Sequence, residues 1–192
     1  KEAGHIGLNP IQKLKSIPLD RAPEYEIFKV KEVRAILNQC LVEKNYPFLA
    51  AFVLVLYCGC RVGETQKILW QDIRYWDKPP SVRVTESVSK KTKKLRPRTT
   101  QIPPNAQSWL RFCYSTYTEN RTEKIIQISG SYFYVQTRKL AARAGVKTWN
   151  KNVLRHCFAS YGGNHLGLTE VSERMGHHRG TEMLRDNYLH LT

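Results

Sequence analysis

Five side chains stand out for what their types can do together: Arg61, Lys91, Arg155, His177 and Tyr188. Breaking a phosphodiester through a tyrosine requires a phenol nucleophile, cations on the nonbridging oxygens as charge builds there, and an acid for the departing oxygen. The set supplies each of these groups and calls for no cofactor. Arginine suits the oxygen clamp because its planar fork makes paired hydrogen bonds to phosphate and keeps its charge at any relevant pH.

Positioning these groups falls to a chain whose patterning is mainly helical. Val33, Ile36, Leu37, Cys40 and Leu41 follow the spacing of an amphipathic helix, and Pro47 then opens a second helix through the apolar run that ends at Cys58. This second helix is expected to be central and buried. Gly59 breaks it, so Arg61 falls at a helix–helix junction beside the core, with Glu64 at the start of the next helix. A charge there requires a partner or a ligand.

Residues 81–86 and 98–103 carry β-branched side chains and flank a loop over 87–97, which predicts strands of a small antiparallel sheet. Residues 105–117 and 131–144 read as helices, and Leu154, Cys157, Phe158 and Tyr161 mark one face of another. Leu168, Val171 and Met175 continue the pattern up to Gly176, a C-cap that places His177 in the following turn, ahead of a last short helix carrying Tyr188. Residues 1–25, with Gly4, Gly7, Pro10, Pro18 and Pro23 among charges, read as a linker or tail.

At 192 residues the chain has room for one catalytic-size domain, taken here as 26–192. Its 31 Lys and Arg against 16 Asp and Glu leave a net charge of +15, an excess that attracts a polyanion by releasing counterions from it. Five cysteines, at 40, 58, 60, 113 and 157, form no disulfide-like framework and read as buried small hydrophobes of a reducing compartment, here the cytoplasm. The longest apolar run is far shorter than the roughly 20 residues needed to cross a membrane. Cys58-x-Cys60 is too tight for the usual structural zinc pattern, and no second cysteine pair answers it, so no metal is expected.

The motifs are Arg61-Val62-Gly63-Glu64, Asn152-Val153-Leu154-Arg155-His156, Met175-Gly176-His177 and Asn187-Tyr188-Leu189, with Ser89-Lys90-Lys91-Thr92 ahead of the second strand. In that order and spacing the chain resembles the tyrosine recombinases, or phage integrases, over about residues 26–192. The resemblance implies a mainly α fold with a small three-stranded antiparallel sheet (α+β), the catalytic domain of the DNA breaking–rejoining enzymes. It implies site-specific DNA recombination or integration, double-stranded DNA as partner, and a tetramer on two DNA sites.

By the same resemblance Arg61 and Arg155 clamp the scissile phosphate, Tyr188 attacks it to form a 3′-phosphotyrosyl link, Lys91 protonates the 5′-oxygen leaving group, and His177 hydrogen-bonds the phosphate. Lys90 is the alternative acid. Asn152 stands where the family most often has His, three residues before Arg155; its amide donates to an oxygen but does not carry a proton as imidazole does. The family's N-terminal DNA-clamping domain has no counterpart in the chain, so residues 1–25 read as the connector to it.

Plainer readings stand beside these. Tyr188, four residues after Leu184, is equally placed to be a core aromatic, and Arg61 is placed to pair with Glu64 as a structural ion pair that also orients it. Between Lys90 and Arg98, six of nine residues are basic. Such a run reads as a solvated loop, or as a DNA-tracking one in which Lys93, Lys94, Arg96 and Arg98 contact phosphates. A type IB topoisomerase using the same chemistry and a decayed, binding-only module are the rival functions.

Overall fold

The apolar run becomes α2 (Tyr46–Cys58), and its burial on nearly every side makes it the axis of the domain. A helix apolar all round has no solvent face to keep, so it is surrounded. It packs against α1 (Val30–Val42), α4 (Pro104–Tyr117) and α6 (Val153–Leu166). The computed structural model describes residues 27–75, 77–85, 97–117, 122–150, 152–177, 181 and 184.

Local sequence sets the helix ends. Glu32, in the first turn of α1, reaches back to the Lys29 N–H at 2.7 Å, and Pro47 lies in the first turn of α2 where its missing N–H costs nothing. Gly59 ends α2 in the left-handed conformation at φ 66°, and the Cys60 N–H returns to the Leu54 carbonyl at 3.2 Å. A single-turn helix, α3 (Val62–Thr65), follows. The core spreads from α2 through stacked Phe48 and Phe133, centroids 5.1 Å apart, to α5 (Gly130–Arg143).

The sheet has the order β1-β2-β3, all antiparallel, with β1 (Ile73–Arg74), β2 (Ser81–Val84) and β3 (Arg98–Gln101). Val82 faces Ile73 on one side and Thr100 on the other, and Val84 pairs with Arg98. The third strand expected of the fold is β1, two residues long and too short to leave an alternating pattern in the sequence. The expected strand over 98–103 stops at Gln101, because Pro103 has no N–H to continue the ladder and α4 begins at Pro104.

After α4, residues 123–125 run antiparallel to the segment before β1. The Trp70 N–H donates to the Glu123 carbonyl at 3.0 Å and the Ile125 N–H to that of Ile68 at 3.0 Å, burying Ile125 and Ile126. α6 and α7 (Leu168–Met175) are separated by Gly167 at φ 83°, and α7 lays Val171 and Met175 against Phe158 and Ala159 of α6. Tyr161, expected on the apolar face of α6, is partly exposed and donates its hydroxyl to the Phe28 carbonyl at 2.9 Å. Residues 1–25, most of 87–97 and the expected last helix with Tyr188 lie outside the described residues.

Candidate active site

Two helix C-termini converge on one arginine. Arg155 sits in the first turn of α6 and is 4% exposed. One of its terminal nitrogens donates to the Gly59 carbonyl at the end of α2, and Nη2 donates to the Met175 carbonyl at the end of α7, 2.5 Å away. The last carbonyls of a helix lack intrahelical partners and carry its negative end, so they attract a cation. The same Nη2 lies 3.3 Å from Nε2 of His177, whose N–H is tied back to the Ser172 carbonyl at 3.0 Å.

Arg61 caps the start of α3. Glu64 accepts the Arg61 backbone N–H on Oε2 at 2.7 Å and the Arg61 Nη1 on Oε1 at 2.9 Å, while Arg61 Nη2 points to the Gly176 carbonyl at 3.5 Å. The Arg61 side chain keeps 31% exposure, against 3% for Glu64. Arg61 thus offers donors to a ligand while its orientation is held from behind.

Arg98 differs from expectation. The basic run predicted a phosphate contact, but its side chain is 11% exposed, with Nη1 and Nη2 on Oε1 and Oε2 of Glu64 at 3.0 and 2.6 Å. Its Nε donates to the Arg174 carbonyl at 3.0 Å. β3 pairs with β2 and packs on α7, which turns the first side chain of the strand inward toward Glu64 rather than outward.

Burial acts to raise the Glu64 carboxyl, but the hydrogen bonds and charge of Arg98, with those of Arg61, outweigh it and hold the group below its ordinary value of 4.5. Arg98 is shifted upward for the complementary reason: burial opposes its charge, and the bonds to Glu64 prevail. Between them, burial pushes the Cys60 thiol up to about 12 despite the nearby arginines, so it stays a neutral thiol. All five cysteines are free and buried.

Asn152, three residues before Arg155, lies just outside α6. It precedes α6 at φ 62°, ψ 14°, a left-handed position that asparagine tolerates better than most residues, and its carbonyl accepts the Arg155 and His156 N–H groups at 2.8 and 3.0 Å. The residue therefore sets the start of α6 through its backbone. Lys90, Lys91, Lys93, Lys94, Arg96 and Tyr188 lie outside the described residues.

The structure thus gathers Arg61, Glu64, Arg98, Arg155 and His177 around the end of α7, where three successive carbonyls each meet a different arginine: Arg174 with Arg98, Met175 with Arg155, Gly176 with Arg61. Sequence reading missed these carbonyls, although the glycines at 59 and 176 signal the two helix ends that expose them. Three guanidiniums against one carboxylate leave this cluster with an excess of positive charge, of which the half-buried Arg61 is the most exposed part.

Solved structures share this fold. The chain is similar to XerA recombinase with a TM-score of 0.70 at 18% identity, over 92% of this chain and 63% of that one. It is similar to XerH site-specific recombinase bound to difH substrate in a pre-cleavage complex, TM-score 0.65 at 17% identity, covering 92% and 53% of the two chains. The post-cleavage complex of XerH with a palindromic difH substrate gives 0.62 at 16%, covering 83% and 48%. The chain therefore spans between about half and two thirds of the length of these recombinases. No curated protein matches it in sequence. The model of the phage integrase family, however, matches residues 26–192, and with the fold in agreement the chain belongs to that family.

Proposed function

We propose that the protein is a site-specific DNA recombinase or integrase that cleaves and rejoins strands through a 3′-phosphotyrosyl intermediate. The observation that carries this reading is the meeting of Arg61, Arg155 and His177, from three separate motifs, at the end of α7. In this reading Arg61 and Arg155 hold the nonbridging oxygens of the scissile phosphate and His177 adds a hydrogen bond to it. The Tyr188 phenol gives its proton to solvent as its oxygen forms the new bond to phosphorus, the bond to the 5′-oxygen breaks, and Lys91, or Lys90 beside it, protonates that oxygen as it leaves. The phosphodiester is conserved in the tyrosyl link, so a 5′-hydroxyl from another strand reverses the step and strand exchange follows.

Double-stranded DNA is the substrate, supported by the net charge of +15 and by DNA-bound XerH among the similar structures. Lys93, Lys94 and Arg96 contact its backbone. Residues 26–192 form the catalytic domain and 1–25 the connector to a DNA-clamping module, the working assembly being a tetramer on two DNA sites. Five free, buried thiols support a cytoplasmic setting, and among the described residues no helix is long and apolar enough to cross a membrane.

Covalent trapping on a nicked suicide duplex in EDTA, with Tyr188→Phe alongside, tests the reading. A detergent-resistant adduct that requires Tyr188 is expected, with DNA affinity nearly equal in the two proteins. Binding without adduct on the element's own junction would reduce the protein to a DNA-binding module.

A further inference from the structure

Glu64 serves two arginines at once, and the sharing has a chemical consequence. Its Oε1 accepts from Arg61 Nη1 at 2.9 Å and Arg98 Nη1 at 3.0 Å; its Oε2 accepts from the Arg61 backbone at 2.7 Å and Arg98 Nη2 at 2.6 Å. A buried carboxylate with Arg61 as its one cation would lie on that guanidinium in the two-pronged geometry such pairs prefer and occupy the donors a phosphate needs. Arg98 takes that two-pronged place instead. Arg61 keeps one bond to Glu64, its backbone bond and its open side.

Arg98 also grips the end of α7. Its Nε and the Thr100 hydroxyl, from the same strand, both donate to the Arg174 carbonyl, at 3.0 and 3.4 Å. The next two carbonyls are those on Arg155 and Arg61. The fit is close: a Cβ built at Gly176 would lie 3.2 Å from the Arg98 guanidinium. β3 is the strand that follows the basic run holding Lys90 and Lys91.

We propose that Arg98 is a positioning residue for strand cleavage, a strut that sets β3 against the Arg61–Glu64 pair and the C-terminal turn of α7 and keeps Arg61 from being neutralised by Glu64. The proposal rests on the recombinase reading above. Arg98 acts through Arg61 and the helix end and does not itself touch DNA.

The test compares wild type, Arg98→Ala and Arg98→Lys in single-turnover adduct formation and in DNA affinity across salt. Arg98→Ala is expected to slow adduct formation by about 100-fold, the scale of a clamp misplaced by an ångström, with affinity changed by less than about twofold. Arg98→Lys, which keeps one bond to Glu64, falls between and supplies the comparison where the alanine variant does not fold. A loss confined to affinity, with the logarithmic salt slope reduced by about one, would make Arg98 a phosphate contact and overturn the proposal. An unchanged rate per folded molecule would overturn it equally.

The Arg61 Nε–H resonance of the DNA-free protein reads positioning without catalysis. It is expected to move or broaden in Arg98→Ala and to recover in part in Arg98→Lys, and an unmoved resonance counts against the strut. Absence of adduct from wild type would remove the recombinase reading while this resonance still decides the role of Arg98.

Discussion

Nη2 of Arg155 lies 3.3 Å from Nε2 of His177 and 2.5 Å from the carbonyl of Met175, so guanidinium, imidazole and helix end form one hydrogen-bonded unit. A guanidinium has only donors, so in the neutral ring Nε2 is the acceptor of this contact. Replacing His177 by Gln keeps an acceptor within reach; replacing it by Ala does not. His177→Ala is expected to slow adduct formation about tenfold more than His177→Gln, on the scale of one charge-assisted hydrogen bond, and equal rates for the two variants would dissociate the imidazole from Arg155.

Arg155 spans two carbonyls from different helices, a geometry that needs a fork. Lysine in its place is a point charge that reaches one of them. Arg155→Ala is expected to abolish detectable adduct and to lower stability by about 3 kcal/mol, since a buried partner is removed and two carbonyls are left unsatisfied. Arg155→Lys retains more stability but not the rate. Suicide-substrate cleavage alongside chemical denaturation reads both quantities, and near-normal cleavage in Arg155→Ala would defeat the clamp assignment.

The left-handed backbone at Asn152 separates conformation from side-chain chemistry. Asn152→Gly fits φ 62° without strain, whereas Asn152→Ala keeps a Cβ but loses the short polar side chain that makes asparagine tolerant of this region, at a cost of about 1 kcal/mol. Denaturant midpoints are expected to fall for Ala and hold for Gly. Adduct formation should fall in both if the amide donates to phosphate, and full activity in Asn152→Gly would show that position 152 contributes backbone alone.

Acid should expose the Glu64 cluster. Its carboxyl is held below 4.5 when folded, so the stabilisation is fully present above that value and is lost as pH falls through the lower, folded value. The stability gap between wild type and Glu64→Gln is therefore expected to be widest near neutrality and to narrow as pH falls below 4.5. Glu43, also lowered by its hydrogen bonds from Arg143, titrates in both proteins and cancels in the comparison. A gap that stays constant down to about pH 2 would contradict the sharing of Glu64 by Arg61 and Arg98.

Gly59 is required twice over, by its φ of 66° and by Phe158, whose ring lies 2.5 Å from any Cβ placed there. Gly59→Ala combines left-handed strain with overpacking and is expected to cost about 2–4 kcal/mol in denaturation experiments. Its carbonyl holds Arg155, so cleavage should decline further than the unfolded fraction explains.

What the sequence revealed follows from how far each interaction reaches along the chain. The helices α1 and α7 were legible because burial repeats with their own period, α2 because its continuous apolar run is bounded by Pro47 and Gly59, and Gly59 and Gly176 because a helix end needs a left-handed residue. Arg61 with Glu64 was legible because the pair is three residues apart. The inward pairing of Arg98 was not legible, since nothing local distinguishes a basic side chain turned toward a carboxylate 34 residues away from its neighbours in the same run. β1 and the segment over 123–125 escaped because pairings this short leave no periodic trace.

The anchors of Arg155 are main-chain oxygens, and a main-chain oxygen survives mutation. A different side chain at position 175 alters packing in the core but leaves the acceptor in place, while at position 59 the same oxygen depends on a residue without a Cβ. Mutational tolerance around the clamp is thus sharply uneven: permissive where the helix end alone supplies the contact, and severe at the glycine that lets Phe158 approach. At Arg155, therefore, the helix-end residue can change its side chain and still present the guanidinium in register.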